Sequence, residues 1–438
     1  MRELQKIFAK KKTENGDNSY RTTGNRMIDL LFMTQFFRNH LNRVPHIGNS
    51  EKEKLFAKFI RDPRYGIGER DLGRVLMSQA NVSPMEVLEC GRADDLIYMS
   101  IKSGNNKYIN HFIELLKSGD YNIKKWSPRM TSGNKSRQIA KYIRKKLKLT
   151  EKEYRQLIKC DTTEMRVCHH TPVKDYSQVP SLAFLKHKNT FYKQDNERFI
   201  SFMKEVNSGN KTIKTSTTTP YDIFKKCVQC SSWSRDTKVD KDADVLFKSL
   251  PQVNLGSILP IIDNSGSMYD TADSQGKAKA IGHYVAKNST YMPNHVITFS
   301  SNPRLLELGN TYEQDMKILT SYDDCSNTDF GKVMKLLGQL EKDVPDYLLV
   351  LSDMEFDYGS SLSKTKTMKM FKEKGIKTRI IWWNFNTRNT TSPEMDYEGN
   401  IFISGYSPQL LKFLESGFNA EQFLDKLLEE YQKKIANK

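Results

Sequence analysis

Asp263, Ser265 and Ser267 stand two apart at the end of an apolar run, in the stretch "SILPIIDNSGSMYD" that spans Ser257 to Asp270. Two further oxygen donors come from elsewhere in the chain: Thr328 in "SNTDF" and Asp353 at the end of "DYLLVLSD". Three chemistries compete for such a set. In a phosphatase that forms an aspartyl-phosphate, the residue two after the nucleophile is a second aspartate acting as general acid. Here that position is Ser265, so the acid is missing. A serine nucleophile on a strand-to-helix elbow needs Gly-x-Ser-x-Gly, which neither Ser265 nor Ser267 has. The third chemistry is a hard divalent cation. Carboxylate and hydroxyl oxygens suit Mg²⁺ (or Mn²⁺), which takes about six oxygen ligands and keeps some places for water or a partner. No histidine, lysine or cysteine joins them in a recognisable catalytic arrangement, and an enzyme is not expected.

The elements that must position these donors follow from the apolar pattern. After about residue 250 in the sequence, short apolar runs ("SILPIID", "HVITFS", "DYLLVLSD", "TRIIWWNF", "NIFISG") alternate with amphipathic stretches such as "SQGKAKAIGHYVAKN". Strand followed by helix, repeated, predicts a doubly wound, mostly parallel sheet with helices on both faces. Ligands of such sheets bind beyond the carboxyl ends of the strands, at the switch point. Asp263 and Asp353 fall at two such ends.

The first 200 or so residues read instead as helix after helix, each with a 3.6-residue apolar period and a polar break, in stretches such as "EKEKLFAKFIRD" and "ERDLGRVLMSQA". The pattern predicts an irregular stack of helix pairs, HEAT-like in character but without a fixed period. The Ser- and Thr-rich segment 207–220 reads as a loop near the junction. The expected division is therefore a basic helical region over 1–250 and an α/β domain over 251–438.

Charge separates the same two halves. The chain of 438 residues carries a net +17, yet residues 1–250 hold 48 Lys and Arg against 28 Asp and Glu, and the remainder holds 21 against 24. A polyanion partner is expected on the first half only, because cation–phosphate contacts are the main sequence-independent term in nucleic-acid binding. The plain alternative is a solvated basic surface. The densest segment, Lys124 to Lys159, has 13 basic residues against Glu151 and Glu153. Within it the expected RNA contacts are Lys124, Lys125, Arg129, Lys135, Arg137, Lys141, Arg144, Lys145, Lys146 and Lys148. Ile139, Tyr142, Ile143 and Leu147 would anchor the helix that carries most of them. Tyr142 and Trp126 have the chemistry to stack on bases, but as aromatics at apolar positions both are expected to face inward.

Six cysteines in 438 residues, at 90, 160, 168, 227, 230 and 325, are too few for a disulfide scaffold and fit a reducing compartment. Cys227 and Cys230 have zinc-knuckle spacing, and Cys168 with His170 could complete a tetrahedral set. There is no second Cys-x-x-Cys pair, so zinc is not expected. The opening residues lack the apolar core of a secretory signal, and no run approaches the ~20 apolar residues of a membrane helix. A cytoplasmic protein with no membrane partner is expected.

Two resemblances sharpen these expectations. "DNSGSM", "SNTDF" and "LSDMEF", in that order, resemble the metal-ion-dependent adhesion site (MIDAS) of a von Willebrand factor A domain, over about residues 252–438. The resemblance implies that Asp263, Ser265, Ser267, Thr328 and Asp353 hold Mg²⁺ directly or through water, with an acidic residue of a partner protein in the open position. In the first half, "RDPRYGIGERDLGRVL", "KKWSPRMTSG", "EKEYRQL" and "DYSQVPS" resemble a family of uncharacterised plant and large-virus proteins of this architecture. That family is similar to the Ro autoantigen and its TROVE module, a ring of helical repeats that binds small structured RNAs and the ends of misfolded RNAs. The resemblance implies a non-enzymatic ribonucleoprotein component. The alternative from another class is a metal-dependent protein-binding or assembly module without RNA, its basic half a docking surface.

Overall fold

The computed structural model describes residues 25–131, 133–215, 217–230, 237–270, 273–322, 329–338, 344–354, 369, 371–373, 375, 377–385, 401–405 and 420–437. It divides into two compact units. One comprises residues 46–179, 187–200 and 428–438, and the other 1–45, 180–186 and 201–427.

The first unit is helical. Its helices begin where the sequence supplies caps: Ser50 with Glu53 opens Glu51–Arg61, Ser83 with Glu86 opens Pro84–Cys90, and Thr150 with Glu153 opens Glu151–Leu157, each a reciprocal capping box. Phe56, Phe59, Leu72, Leu76, Leu96 and Phe112 are fully buried and form its core. Helices Glu51–Arg61 and Arg70–Gln79 pack tightly at Gly73, where a Cβ would lie 2.7 Å from the Arg61 Cα. A buried ion network ties three helices: Asp95 meets Arg61 Nη2 at 2.7 Å and Arg74 Nε at 2.5 Å. Tyr431, far away in sequence, joins this unit by stacking edge-on against Phe59 and by bonding Asp62 at 3.3 Å.

The second unit is built on a six-stranded sheet of β3 (Ile258–Asp263), β4 (His295–Phe299), β5 (Arg304–Glu307), β6 (Tyr347–Ser352), β7 (Arg379–Asn384) and β8 (Ile401–Ser404). A separate antiparallel pair, β1 (Val228–Cys230) and β2 (Thr237–Val239), precedes it. The order across the large sheet is β5-β4-β3-β6-β7-β8. All neighbours run parallel except β4 with β5. The chain thus starts at the centre with β3, fills one side, and returns to fill the other from β6. That reversal opens a crevice between the carboxyl ends of β3 and β6. Both central strands are buried almost throughout, which is why they read as continuous apolar runs. Helix Ser274–Asn288 lies close against the sheet, where a Cβ at Gly282 would come within 2.6 Å of Ile262 Cδ1.

The helical region followed by a mostly parallel sheet is as the sequence predicts, and the five apolar runs are β3, β4, β6, β7 and β8. The units divide elsewhere than at residue 250. The described residues of 201–250 belong to the sheet-bearing unit, where Tyr221 bonds Asp273, the cap of helix Ser274–Asn288, at 2.8 Å, and helix Tyr312–Ser321 is reached twice: Thr237 meets Thr320 at 2.6 Å, and Asp244 accepts from the Tyr312 amide at 2.9 Å. Strand β5 was not expected. It is a four-residue edge strand with one buried position, too short and too polar to show an apolar pattern.

Candidate metal centre and basic face

Asp263 is the last residue of β3 and Ser352 the last of β6, and the parallel register sets them side by side. Ser352 Oγ donates to Asp263 Oδ2 at 2.5 Å while accepting from the Met354 amide at 2.9 Å, which fixes the hydroxyl's direction. The chain after Asp263 turns back on it: the Ser265 amide donates to Asp263 Oδ1 at 2.9 Å, and the Ser265 and Ser267 hydroxyls lie 3.1 Å apart. Asn264 anchors the loop, donating to the Tyr322 carbonyl at 3.2 Å and accepting from Gln275 at 2.8 Å.

Two carboxylates share this buried end. Asp263 is 0% exposed and Asp353 3%. Burial, and after it the negative charge of Asp353, push the Asp263 carboxyl up to about 7. Hydrogen bonds from Ser265 and Ser352 pull in the opposite direction but do not prevail. Like charges gathered out of water are unfavourable on their own and favourable around a cation. The donors present are carboxylate and hydroxyl oxygens, with no thiolate or imidazole among them, which fits Mg²⁺ or Mn²⁺.

The structure therefore brings together four of the five expected metal ligands: Asp263, Ser265, Ser267 and Asp353. Thr328 lies outside the described residues. Among the described residues no group of three or more His, Cys, Asp or Glu is placed to hold a metal. Sequence reasoning missed Ser352, whose position beside Asp263 depends on strand register; the signal was its place next to Asp353 at a strand end. On the zinc alternative, Cys227 is buried and Cys168 exposed, and the Cys230 side chain lies outside the described residues.

In the helical unit the positive charge is local. Residues 51–100 hold 8 basic against 9 acidic residues, whereas 101–150 hold 13 against 2. Helix Asn134–Lys146 buries only Ala140 and Ile143. Ile139 and Leu147 are half-buried, and Lys135, Arg137, Lys141, Lys145, Lys146 and Lys148 are exposed. Some of the expected RNA contacts have internal partners: Arg137 Nε donates to the Met130 carbonyl at 3.1 Å, Arg144 Nη1 to the Leu149 carbonyl at 3.4 Å, and Lys146 to Asn110 at 2.8 Å. Lys124 and Lys125 are half-buried on Tyr121–Trp126, and Arg129 reaches Cys160 Sγ at 3.9 Å.

Tyr142 does not face inward as expected; it is 51% exposed. At about 100° per residue it sits roughly 160° around the helix from Ala140, off the narrow buried stripe. Trp126 is half-buried rather than core, with the Arg92 guanidinium 4.0 Å and the Lys125 ammonium 5.5 Å from its ring centre.

Residues 257–438 match the family described as "Domain of unknown function (DUF7788)", and residues 115–251 the one described as "Domain of unknown function (DUF2828)". The first match takes in the sheet from β3 onward, and the second holds the basic segment. The chain is 24% identical over 494 residues to "Uncharacterized protein L728" of Acanthamoeba polyphaga mimivirus, covering 94% of this chain and 85% of the viral protein. That relative fits the large-virus part of the resemblance in the sequence. Among solved structures the chain is similar to the "Crystal structure of Deinococcus radiodurans RO (RSR) protein", with 11% identity and a TM-score of 0.43 over 90% of this chain and 93% of that one. No helix among the described residues is long and apolar enough to cross a membrane.

Proposed function

We propose that this is a non-enzymatic, cytoplasmic RNA-binding protein of Ro-like (TROVE) character, with a HEAT-like helical region and an A domain whose metal site engages an acidic residue of a partner protein. The observation that carries the RNA reading is the face of helix Asn134–Lys146. A helix with only two buried residues displays a row of exposed cations around an exposed tyrosine, which pairs phosphate attraction with a stacking surface. Asp263, Ser265, Ser267 and Asp353, with Thr328, would hold Mg²⁺ or Mn²⁺, and the ion would supply an open position for a partner carboxylate.

Lys135, Lys141 and Lys145 test the face directly, since all three are exposed on the helix. Changing them together to Glu should leave the fold intact and lower RNA affinity, and the slope of log affinity against log salt should flatten by about 2 to 3. Unchanged affinity and slope across a salt series would reduce the face to a solvated surface. The second reading, a metal-dependent protein-binding module without RNA, is favoured by the buried paired carboxylates. It prevails if a partner is retained by the full chain only with Mg²⁺ while RNA is not retained at all.

A further inference from the structure

The basic segment does not end with its helix. Residues 129–131 face the helix Glu151–Leu157 and the chain that follows it across a cleft of about 600 Å³. Met130, Ile158 and Met165 supply its apolar lining, and Arg129, Lys152 and Lys159 bring positive charge, whereas Arg155 is engaged by Glu151. Lys152 and Lys159 are exposed. The walls are pinned from within: Tyr154, 0% exposed, donates to the Pro128 carbonyl at 2.9 Å, and Tyr121 donates to the Asp161 carbonyl at 2.8 Å. Gln156 also lines a second cleft of about 610 Å³ on the other side of the same helix, where Leu147, Leu149 and Leu157 meet Lys117 and Lys124.

Apolar walls with a cationic rim, in a volume within the ~300–1,000 Å³ of small-ligand sites, match one flat ring with a phosphate attached. A duplex keeps its bases paired and stacked, and offers such a cleft only phosphates. We propose that this cleft takes an unpaired nucleotide of a single-stranded nucleic acid, base against Met130, Ile158 and Met165 and phosphates at Lys152 and Lys159, with Gln156 as the ridge to a second nucleotide site. The inference rests on the RNA-binding reading and gives that surface its substrate form.

Cys160 lines the cleft and is half-exposed, while Cys168 is exposed and not among the lining residues, so one reagent reports on both. The full chain is alkylated with iodoacetamide alone, with a saturating labelled oligouridylate, and with a blunt RNA duplex, and the two cysteines are followed by peptide mass mapping. The single strand should slow alkylation of Cys160 and leave Cys168 unchanged, and the duplex should protect neither. The double variant Lys152→Glu with Lys159→Glu should bind the strand more weakly, with the salt slope reduced by about 1.4, roughly 0.7 for each single-strand phosphate that is no longer neutralised. Should Cys160 resist the reagent in the free protein, the double variant decides alone. A bound strand that leaves Cys160 fully reactive, equal protection by the duplex, or a double variant with unaltered affinity and slope overturns the inference. If in that case the Lys135, Lys141 and Lys145 reversal still weakens binding, the RNA reading stands without the cleft. If the chain binds no oligonucleotide, both fall.

Discussion

Asp95 in the helical unit and Asp263 in the sheet unit are both 0% exposed, and their surroundings are opposite. Asp95 lies between Arg61 and Arg74 and also accepts from the Arg92 amide at 2.8 Å. Asp263 faces a second carboxylate, Asp353, and its nearest donors are a serine hydroxyl and an amide. A buried charge with its counter-charge built in holds elements together. A buried charge gathered with its like is tolerated where a ligand supplies the missing sign. The difference separates scaffold from site more sharply than burial does.

The largest effect should come from breaking the scaffold. Asp95→Ala leaves Arg61 and Arg74 buried without their shared carboxylate, and removing one partner of such a pair costs about 3–5 kcal/mol. Chemical denaturation should show the helical unit destabilised by that order while Mg²⁺ binding persists. A change below about 1 kcal/mol, the range of surface pairs, would erase the contrast with Asp263.

The matching change at the site should do the reverse. Asp263→Ala is expected to abolish binding of Mg²⁺ and Mn²⁺ in calorimetry, while the metal-free protein keeps its fold, since one of two mutually repelling carboxylates has gone. Equal Mg²⁺ affinity in wild type and variant would remove the metal assignment, and with it the partner reading.

Part of this contrast was legible in the sequence. Asp263 and Asp353 stood out because each ends a continuous apolar run, and in a parallel sheet such ends converge. Ser352 was not legible, because its hydrogen bond to Asp263 depends on which residues of β3 and β6 come level. The Asp95 network was hidden for a similar reason: "RADDLIYMS" looks like an ordinary helix start with acids in its first turn, and only the approach of Arg61 and Arg74 buries one of them. Where the compact units divide was not legible either, because the contacts that tie helices Pro220–Cys227 and Ala243–Lys248 to the sheet-bearing unit reach Asp273 and Tyr312, later in the chain.

A smaller effect tests the exposed face. Tyr142→Ala removes a ring that is half in water, so stability should move by less than about 0.5 kcal/mol. RNA affinity should fall by about 1–3 kcal/mol if the ring carries a base. A variant with full affinity in a binding titration would leave Tyr142 a bystander and place the stacking elsewhere.

The smallest effect concerns pH, and it asks whether an unlike-charge cluster in the sheet unit behaves as scaffold too. His283 and Asp315 are each 1% exposed; His283 Nε2 lies 2.7 Å from Asp315 Oδ2, and Lys287 reaches the same oxygen at 3.0 Å. Asp244 adds negative charge nearby, and Phe247 and Tyr312 close over the imidazole with ring centres at 4.4 and 5.1 Å. Burial lowers the affinity of His283 for a proton, the bond to Asp315 opposes this, and burial prevails. The folded protein therefore binds this proton less readily than the unfolded chain, whose histidine titrates near 6.5. The neutral ring's contribution is complete above that pH and is lost as pH falls through the unfolded value toward the lower folded one. His283→Phe should accordingly be less stable than wild type at pH 7.5, yet lose less on acidification, the two slopes between pH 6.5 and 5 differing by at most about 1.4 kcal/mol per pH unit. Parallel slopes would mean that Asp315 keeps the ring protonated in the fold, and that this cluster is an ion pair of the same kind as Asp95 with its arginines.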